Sequence, residues 1–495
     1  MSTNSSRRTF LGSVAAVAAG WADAGLKASE ASVVGKSARI FRAGAFAIDI
    51  TPREFPVLVN GGVSERTADR VVDPLHARCL VLDDAATQIA MAVVDNCMIP
   101  RSLLDEAKEA ARAATGIPTE RMLISATHTH SAPAACGCLG TDRDERYARY
   151  LPGRIAEGIK LAYQNLAPAR IGWAVGQDPK NVFCRRYLMK PGTALTNPFS
   201  GTQDDQAQMN PGYLNPNAIK RLGPVDPAVT VLSVQSPEGQ PMALLANYST
   251  HYAGSEPVSA DYFGVFCEKI TRLIDAQSVK PPFVALMSNG TSGDANCCDF
   301  DHARREFDYF SVAEDVSRAA YEAYRQIQYH NWVPLVMQQR LLELNARMPR
   351  PEEVAKAKEY IAANLGERKP RTWAEVYAWE IVLLDRLPST RELKLQAIRL
   401  GDFGIAAIPC EVYGRTGLQI KRNSPLKPTM NISLANGCEG YLPPPDQFPL
   451  GGYTTWRART SCLEVEAEPK IVAAVLELLA QVAAKRFAPD EFRSA

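Results

Sequence analysis

The segment SATHTHSAPAA, residues 125–135, holds two of the six histidines of a 495-residue chain, His128 and His130, one residue apart. Imidazole is the commonest metal ligand in proteins and the usual proton carrier near neutral pH. At i and i+2 on a strand end, two side chains line one side of a mouth. The spacing fits one metal ligand beside a residue that bonds substrate, two ligands of one ion, or two structural histidines satisfied by hydrogen bonds. His251, in NYSTHYAG, repeats the pattern of an apolar strand followed by a histidine in a small-residue loop. Alone, it reads equally as a histidine satisfied in place. Glu411, in GIAAIPCEVYGRTG, sits where a strand breaks at Pro409 and a helix is expected to begin. The helix dipole by itself favours a carboxylate there, so Glu411 is either a cap or a ligand. Asp294, in MSNGTSGDANCCDF, follows the strand FVALM. It is either a turn aspartate or a site residue, because α/β folds place sites beyond the carboxyl ends of strands. His76 precedes a strand and can orient a neighbour, whereas His302 and His330 read as surface residues.

The elements that must position these residues follow from apolar runs bounded by Gly, Pro and Asp. Strands are expected at 41–50, 77–83, 89–95, 122–125, 169–175, 229–234, 242–248 and 283–287. Residues 393–400 and 403–408 read as a hairpin. Helices are expected at 101–115, 147–164, 263–277, 312–329, 352–364, 372–387, from about 411, and at 468–486. The interval 181–223, rich in Asn, Pro, Gly and Gln, reads as a long surface loop. The pattern predicts an α/β fold of mixed sheets flanked by helices. It forms one large domain over 36–490, with a helical insertion at about 345–390.

Composition bounds the function classes. The chain is 46% hydrophobic and 22% charged with a net charge of +1, so no broad field points to nucleic acid or an anionic membrane. No internal run reaches the ~20 apolar residues of a membrane span. Residues 1–35 carry Arg7-Arg8, Phe10-Leu11 and an alanine-rich stretch. They read as a Tat-type export signal and linker, which predicts a periplasmic or secreted protein. The eleven cysteines read mainly as buried free thiols. Their pairing and the oligomeric state are left open by the sequence.

Taken together, these segments resemble the catalytic N-terminal domain of the neutral/alkaline ceramidase family, over about Ala43 to Ala484. The matching stretches are GAFAIDITP, DPLHARCLVL, ATHTHSAPAA, NVFCRRY, PCEVYGRTG, GYLPP and GGYTTW. The resemblance implies Zn2+ held by His128, His251, Glu411 and Tyr441. It implies that His130, Arg185 (with Arg186 the fallback) and Tyr453 stabilise the oxyanion while a zinc-activated water cleaves an N-acyl amide bond, and that Ser131 orients His130. It also implies a small-molecule or lipid substrate. Asp294 belongs to the family's active-site loop, in which Asn296 stands at the position of a serine. SAPAA replaces SGPGG, and the family's C-terminal β-sandwich domain is not expected here. The resemblance therefore leaves three readings: a zinc amidase for a ceramide-like lipid, a zinc hydrolase for another amide or ester, or a non-enzymatic relative.

Overall fold

Alternation along the strands builds the core. In the strand His76–Asp83, Cys79 and Val81 enter one apolar cluster while Leu80 and Leu82 enter another on the opposite face. A computed structural model describes residues 39–486. The export-signal segment lies outside these residues. Three larger mixed sheets carry the fold. The first runs in the order Met122–Ala126, Gln88–Val94, His76–Asp83, Arg42–Asp49, Ala167–Pro168. The second runs Val284–Asn289, Pro241–Tyr248, Ala228–Gln235, Arg170–Gln177. The third runs Leu335–Asn345, Thr390–Leu400, Phe403–Ala407, Thr429–Ile432. Leu80, Met91, Leu245, Leu286, Ile398 and Ile405 belong to one cluster, so the three sheets share a central core.

Helices cover the outer faces. Arg101–Thr115 buries Leu103, Leu104, Ala107 and Ala111, a stripe at helical spacing, against the first sheet. It ends at Gly116, whose φ of 77° is the left-handed conformation that closes a helix. Asp261–Leu273 and Tyr309–Tyr324 cover the second sheet, and Ala467–Ala484 covers the third. Full burial of each leucine in these faces contributes roughly 1.5–3 kcal/mol.

Each sheet contains a parallel pair: Gln88–Val94 with Met122–Ala126, Pro241–Tyr248 with Val284–Asn289, and Phe403–Ala407 with Thr429–Ile432. The loops that leave the carboxyl ends of these strands carry His128, His251, Gly293, Glu411 and Tyr441. A bridge between Ser125 and Ala435, and a bond from the Ser433 N–H to the Asn289 carbonyl, tie the three ends together.

Several elements differ from the sequence expectation. Leu335–Asn345 is a strand paired along its length with Thr390–Leu400. Its middle is half exposed and alternates with Gln, Arg and Glu, which hid the apolar signal. The helices Pro351–Asn364 and Trp373–Asp385 lie between these two paired strands, as an excursion from the end of a hairpin. The interval 181–223 holds four short strands rather than loop alone. Glu411 is not at a helix N-terminus. It lies in the two-residue strand Glu411–Val412, parallel to Tyr441–Leu442, and the helix starts at Gly414.

Candidate metal centre

His128 is held in the left-handed region, with φ of 74°, a conformation that costs energy in a non-glycine residue. Its N–H bonds the Asn96 carbonyl, and its Nδ1 lies 2.8 Å from the Cys97 carbonyl. A carbonyl only accepts, so Nδ1 carries the proton and Nε2 presents a lone pair. His251 Nδ1 lies 3.2 Å from the Ser292 carbonyl and is fixed in the same way. The two Nε2 atoms face each other at 3.1 Å. Glu411 Oε2 lies 3.3 Å from His128 Nε2 and is buried with no hydrogen-bond partner among the described residues. All three residues are buried, with ligand atoms within 4.8 Å of one another. Lone pairs turned toward each other repel unless a cation lies between them. The orphaned carboxylate oxygen meets the same need, so the donor set fits a divalent N/O-ligated ion such as zinc.

Burial and the charge around the centre disfavour a proton on His251 and on His130. Burial first, then the Arg185 charge, push His251 well below its ordinary pKa. Burial, His128 and Arg185 do the same to His130. Burial works against the Arg185 charge, but the Tyr453 and Tyr441 phenols and the Glu411 carboxylate outweigh it and hold the guanidinium protonated. Cys97, His128 and His130 form a second potential ligand group. It is the poorer donor set, because burial holds the Cys97 thiol well above its ordinary pKa and His128 Nδ1 is already committed to a carbonyl.

No protein-family model matches the chain, and no curated protein matches it by sequence. Solved structures do. The neutral ceramidase from Pseudomonas aeruginosa superposes with a TM-score of 0.66 at 17% identity, over 92% of this chain and 77% of that one. A ceramidase complexed with C2 superposes with a TM-score of 0.65 at 16% identity, over 92% and 78%. The chain has the neutral ceramidase fold.

Within this ceramidase fold, Tyr441 and Arg185 stand beside the centre. Register pairs Tyr441 with Glu411, and Arg185 Nη2 lies 3.4 Å from the Tyr441 hydroxyl and 3.3 Å from His251 Nε2. Arg185 also donates to the Gly293 carbonyl at 3.1 Å, while its Nε is buried without a partner. Tyr453 packs edge-on to Tyr441, ring centroids 5.9 Å apart, and stacks on Trp373 of the helical excursion. Arg186 turns away. It bonds the Gln447 side chain and carbonyl, Thr454 and the Gly451 carbonyl, and so anchors the loop that carries Tyr453. His130 Nε2 lies 3.2 Å from His128 Nε2.

Other sequence candidates are placed differently. Asp294 Oδ1 accepts the Gly414 N–H at 2.7 Å, and its backbone carbonyl accepts the Arg185 N–H. It therefore positions Arg185 and the following helix rather than joining the ligand cluster. Burial raises its carboxyl to about 6, against the hydrogen bond from Gly414. The Asn296 amide donates to Asn210 and accepts the Cys298 N–H. The Ser131 hydroxyl donates to the Ser255 carbonyl rather than orienting His130.

Sequence reasoning missed what does orient His130. Tyr252 stacks on its ring at 3.9 Å between centroids, and Arg66 donates to its carbonyl. Gly61, with φ of 97°, packs closely against the ring and Cβ of His130. A Cβ there would lie 2.6 Å from His130 Cγ and Nδ1. The tyrosine next to His251 was visible as a letter in STHYAG. The carbonyls of Cys97 and Ser292 leave no signal in residue type.

Proposed function

We propose that this protein is an exported zinc-dependent hydrolase that cleaves an N-acyl amide bond, with a ceramide-like lipid as substrate. The observation that carries the reading is the convergence of two lone-pair-bearing Nε2 atoms on the partnerless Glu411 Oε2. The neutral ceramidase fold around that convergence supports the same chemistry. His128, His251 and Glu411 hold the ion, and Tyr441 supplies a weaker phenolic ligand. Bound zinc supplies Lewis acidity and makes water nucleophilic at neutral pH.

The remaining roles belong to the chain. The scissile carbonyl lies near Arg185, whose guanidinium, held protonated beside the centre, favours developing negative charge. Tyr453 faces the same charge from across Tyr441. His130, kept neutral by burial and stacked on Tyr252, presents its ring to the scissile carbonyl and the developing oxyanion. Asn296 favours a second substrate reading within the same mechanism, another amide or an ester. Its amide is committed to Asn210 and Cys298, and it stands where the resembling family has a serine.

Zinc content after dialysis at pH 7, measured on the wild type and on His128→Ala, tests the centre. About one zinc per wild-type chain and none in the variant is expected. A wild type that retains no more zinc than the variant ends the proposal. A panel of N-acyl sphingosines, short N-acyl amides and esters then separates the substrates. Turnover of the sphingosine amides supports the lipid reading, and turnover of the others alone supports the second. Export is tested by fractionating cells that express the full chain against Arg7→Lys/Arg8→Lys. Equal retention of both in the cytoplasm removes that part of the reading.

A further inference from the structure

Two cysteines outside the centre meet between the loops that carry His130 and Tyr441. Cys136 lies six residues after His130 on the same loop, and Cys438 lies three residues before Tyr441. Their Sγ atoms are 4.0 Å apart although 302 residues separate them in sequence. Both are half buried, and both line a solvent-open cavity of about 610 Å³ with Pro100, Leu387 and Arg391. The backbones are fixed independently of the thiols. Asn60 donates to the Cys136 carbonyl at 3.0 Å, and the Glu439 N–H bonds the Pro409 carbonyl at 2.7 Å. A disulfide needs sulfurs about 2 Å apart, so closing the gap calls for side-chain rotation and little movement of either loop.

We propose that Cys136 and Cys438 form a modification site, a dithiol that a low-molecular-weight disulfide converts into a cross-link between the histidine loop and the tyrosine loop. The Cys136 thiolate attacks one sulfur of the incoming disulfide. The first small thiolate leaves and takes up the proton that Cys136 lost. The Cys438 thiolate then attacks Cys136 Sγ of the mixed disulfide and expels the second small thiol, which takes the proton from Cys438. Two protein thiols lose two electrons, and one small disulfide becomes two thiols. Among the other nine cysteines, only Cys298 is half buried as well. Eight of the remaining nine are buried, which denies a dissolved disulfide access.

The link closes a very long loop of chain, and a native-compatible disulfide stabilises through the unfolded state. For a chain of this length the expected rise in Tm is about 2–4 °C. The test treats the full chain with oxidised glutathione at pH 8, then maps peptides by mass spectrometry without reduction. The expected result is a Cys136–Cys438 linked peptide, the loss of these two of the eleven thiols in the peptide map, and a Tm rise reversed by dithiothreitol. Cys136→Ser and Cys438→Ser should each lose the linked peptide and the Tm rise. Eleven remaining thiols overturn the proposal, as do glutathione adducts on the two cysteines without the linked peptide. Mapping of the wild type decides the matter even if a serine variant fails to fold. None of these readouts depends on the metal centre.

Discussion

Gly293→Ala tests how tightly the centre is built. An alanine Cβ at this position would lie 2.5 Å from the Glu411 carbonyl oxygen and 3.0 Å from the Glu411 carbon and the Val412 oxygen. All three are backbone atoms and cannot rotate away. Ordinary contact begins near 3.4 Å, so the strand Glu411–Val412 and the 290–296 loop must separate by about 0.9 Å. That movement acts on the bond from the Gly293 N–H to the Val412 carbonyl. It also shifts the carbonyls of Ser292 and Gly293, which orient His251 and Arg185. Metal–ligand distances tolerate about 0.2 Å, so a displaced Glu411 or His251 no longer fits the same ion. The expected loss is 10- to 100-fold in zinc affinity, about 1.4–2.7 kcal/mol. Overpacking should cost the metal-free protein a further ~1–3 kcal/mol of stability, a fall in Tm of roughly 1–3 °C. Zinc competition against a chromophoric chelator at pH 7 measures the first quantity, and calorimetry of the metal-free protein measures the second. A folded Gly293→Ala protein with zinc affinity within twofold of the wild type would refute the argument that this glycine spaces the ligands.

Gly153, inside the helix Glu145–Gln164, has nothing within 4 Å of the position a Cβ would take, so Gly153→Ala should stabilise by about 0.5–1 kcal/mol and leave zinc affinity unchanged, as chemical denaturation and the same competition assay will report. Arg186→Met leaves the buried Gln447 carbonyl and the half-buried Gly451 carbonyl without their Arg186 donor. It should cost about 2–4 kcal/mol in denaturation, and raise KM through the Tyr453 loop with little change in metal binding. Asp294 has a carboxyl raised from 3.8 to about 6 by burial, so the folded state holds a proton that the unfolded state has released. Between about pH 4 and pH 6 this group lowers stability as pH rises, and above that window the cost is constant. Asp294→Asn removes the cost and keeps an acceptor for Gly414. Its stability relative to wild type should grow by on the order of 1–3 kcal/mol from pH 4 to pH 7 in urea midpoints, and parallel profiles would contradict the assignment.

How much of this was legible in the sequence depends on which kind of atom does the work. The buried strands of the first two sheets were readable because both faces are apolar, and their observed bounds lie within a few residues of those expected. Leu335–Asn345 was not, because its middle is half exposed and its pairing with Thr390–Leu400 spans the helical excursion. The groups that fix the imidazole tautomers are backbone carbonyls, which any residue supplies. In the sequence, Pro409 breaks the strand before Glu411 and so points to a helix opening there. Parallel pairing with Tyr441 instead holds Glu411 extended for two residues, and this pairing brings the carboxylate and the phenol side by side.

Chain distance carried no information about convergence: His128, His251 and Glu411 leave three different sheets. What the sequence did carry was a local pattern, an apolar strand followed by small or loop-forming residues and then a group able to bind a metal. The pattern alone leaves each residue with an ordinary structural explanation. The shared core removes that ambiguity, because Leu80, Leu245 and Ile405 pack into one cluster and so draw the carboxyl ends of their sheets toward a common point. Once the ends meet, two imidazole lone pairs and a carboxylate occupy a space too small to keep them apart, at 3.1 and 3.3 Å, and hydrogen bonds elsewhere have already fixed both rings. A purely structural role would have given Glu411 Oε2 a donor. Its lack of one makes a bound cation the most economical account of why the fold brings these three side chains together.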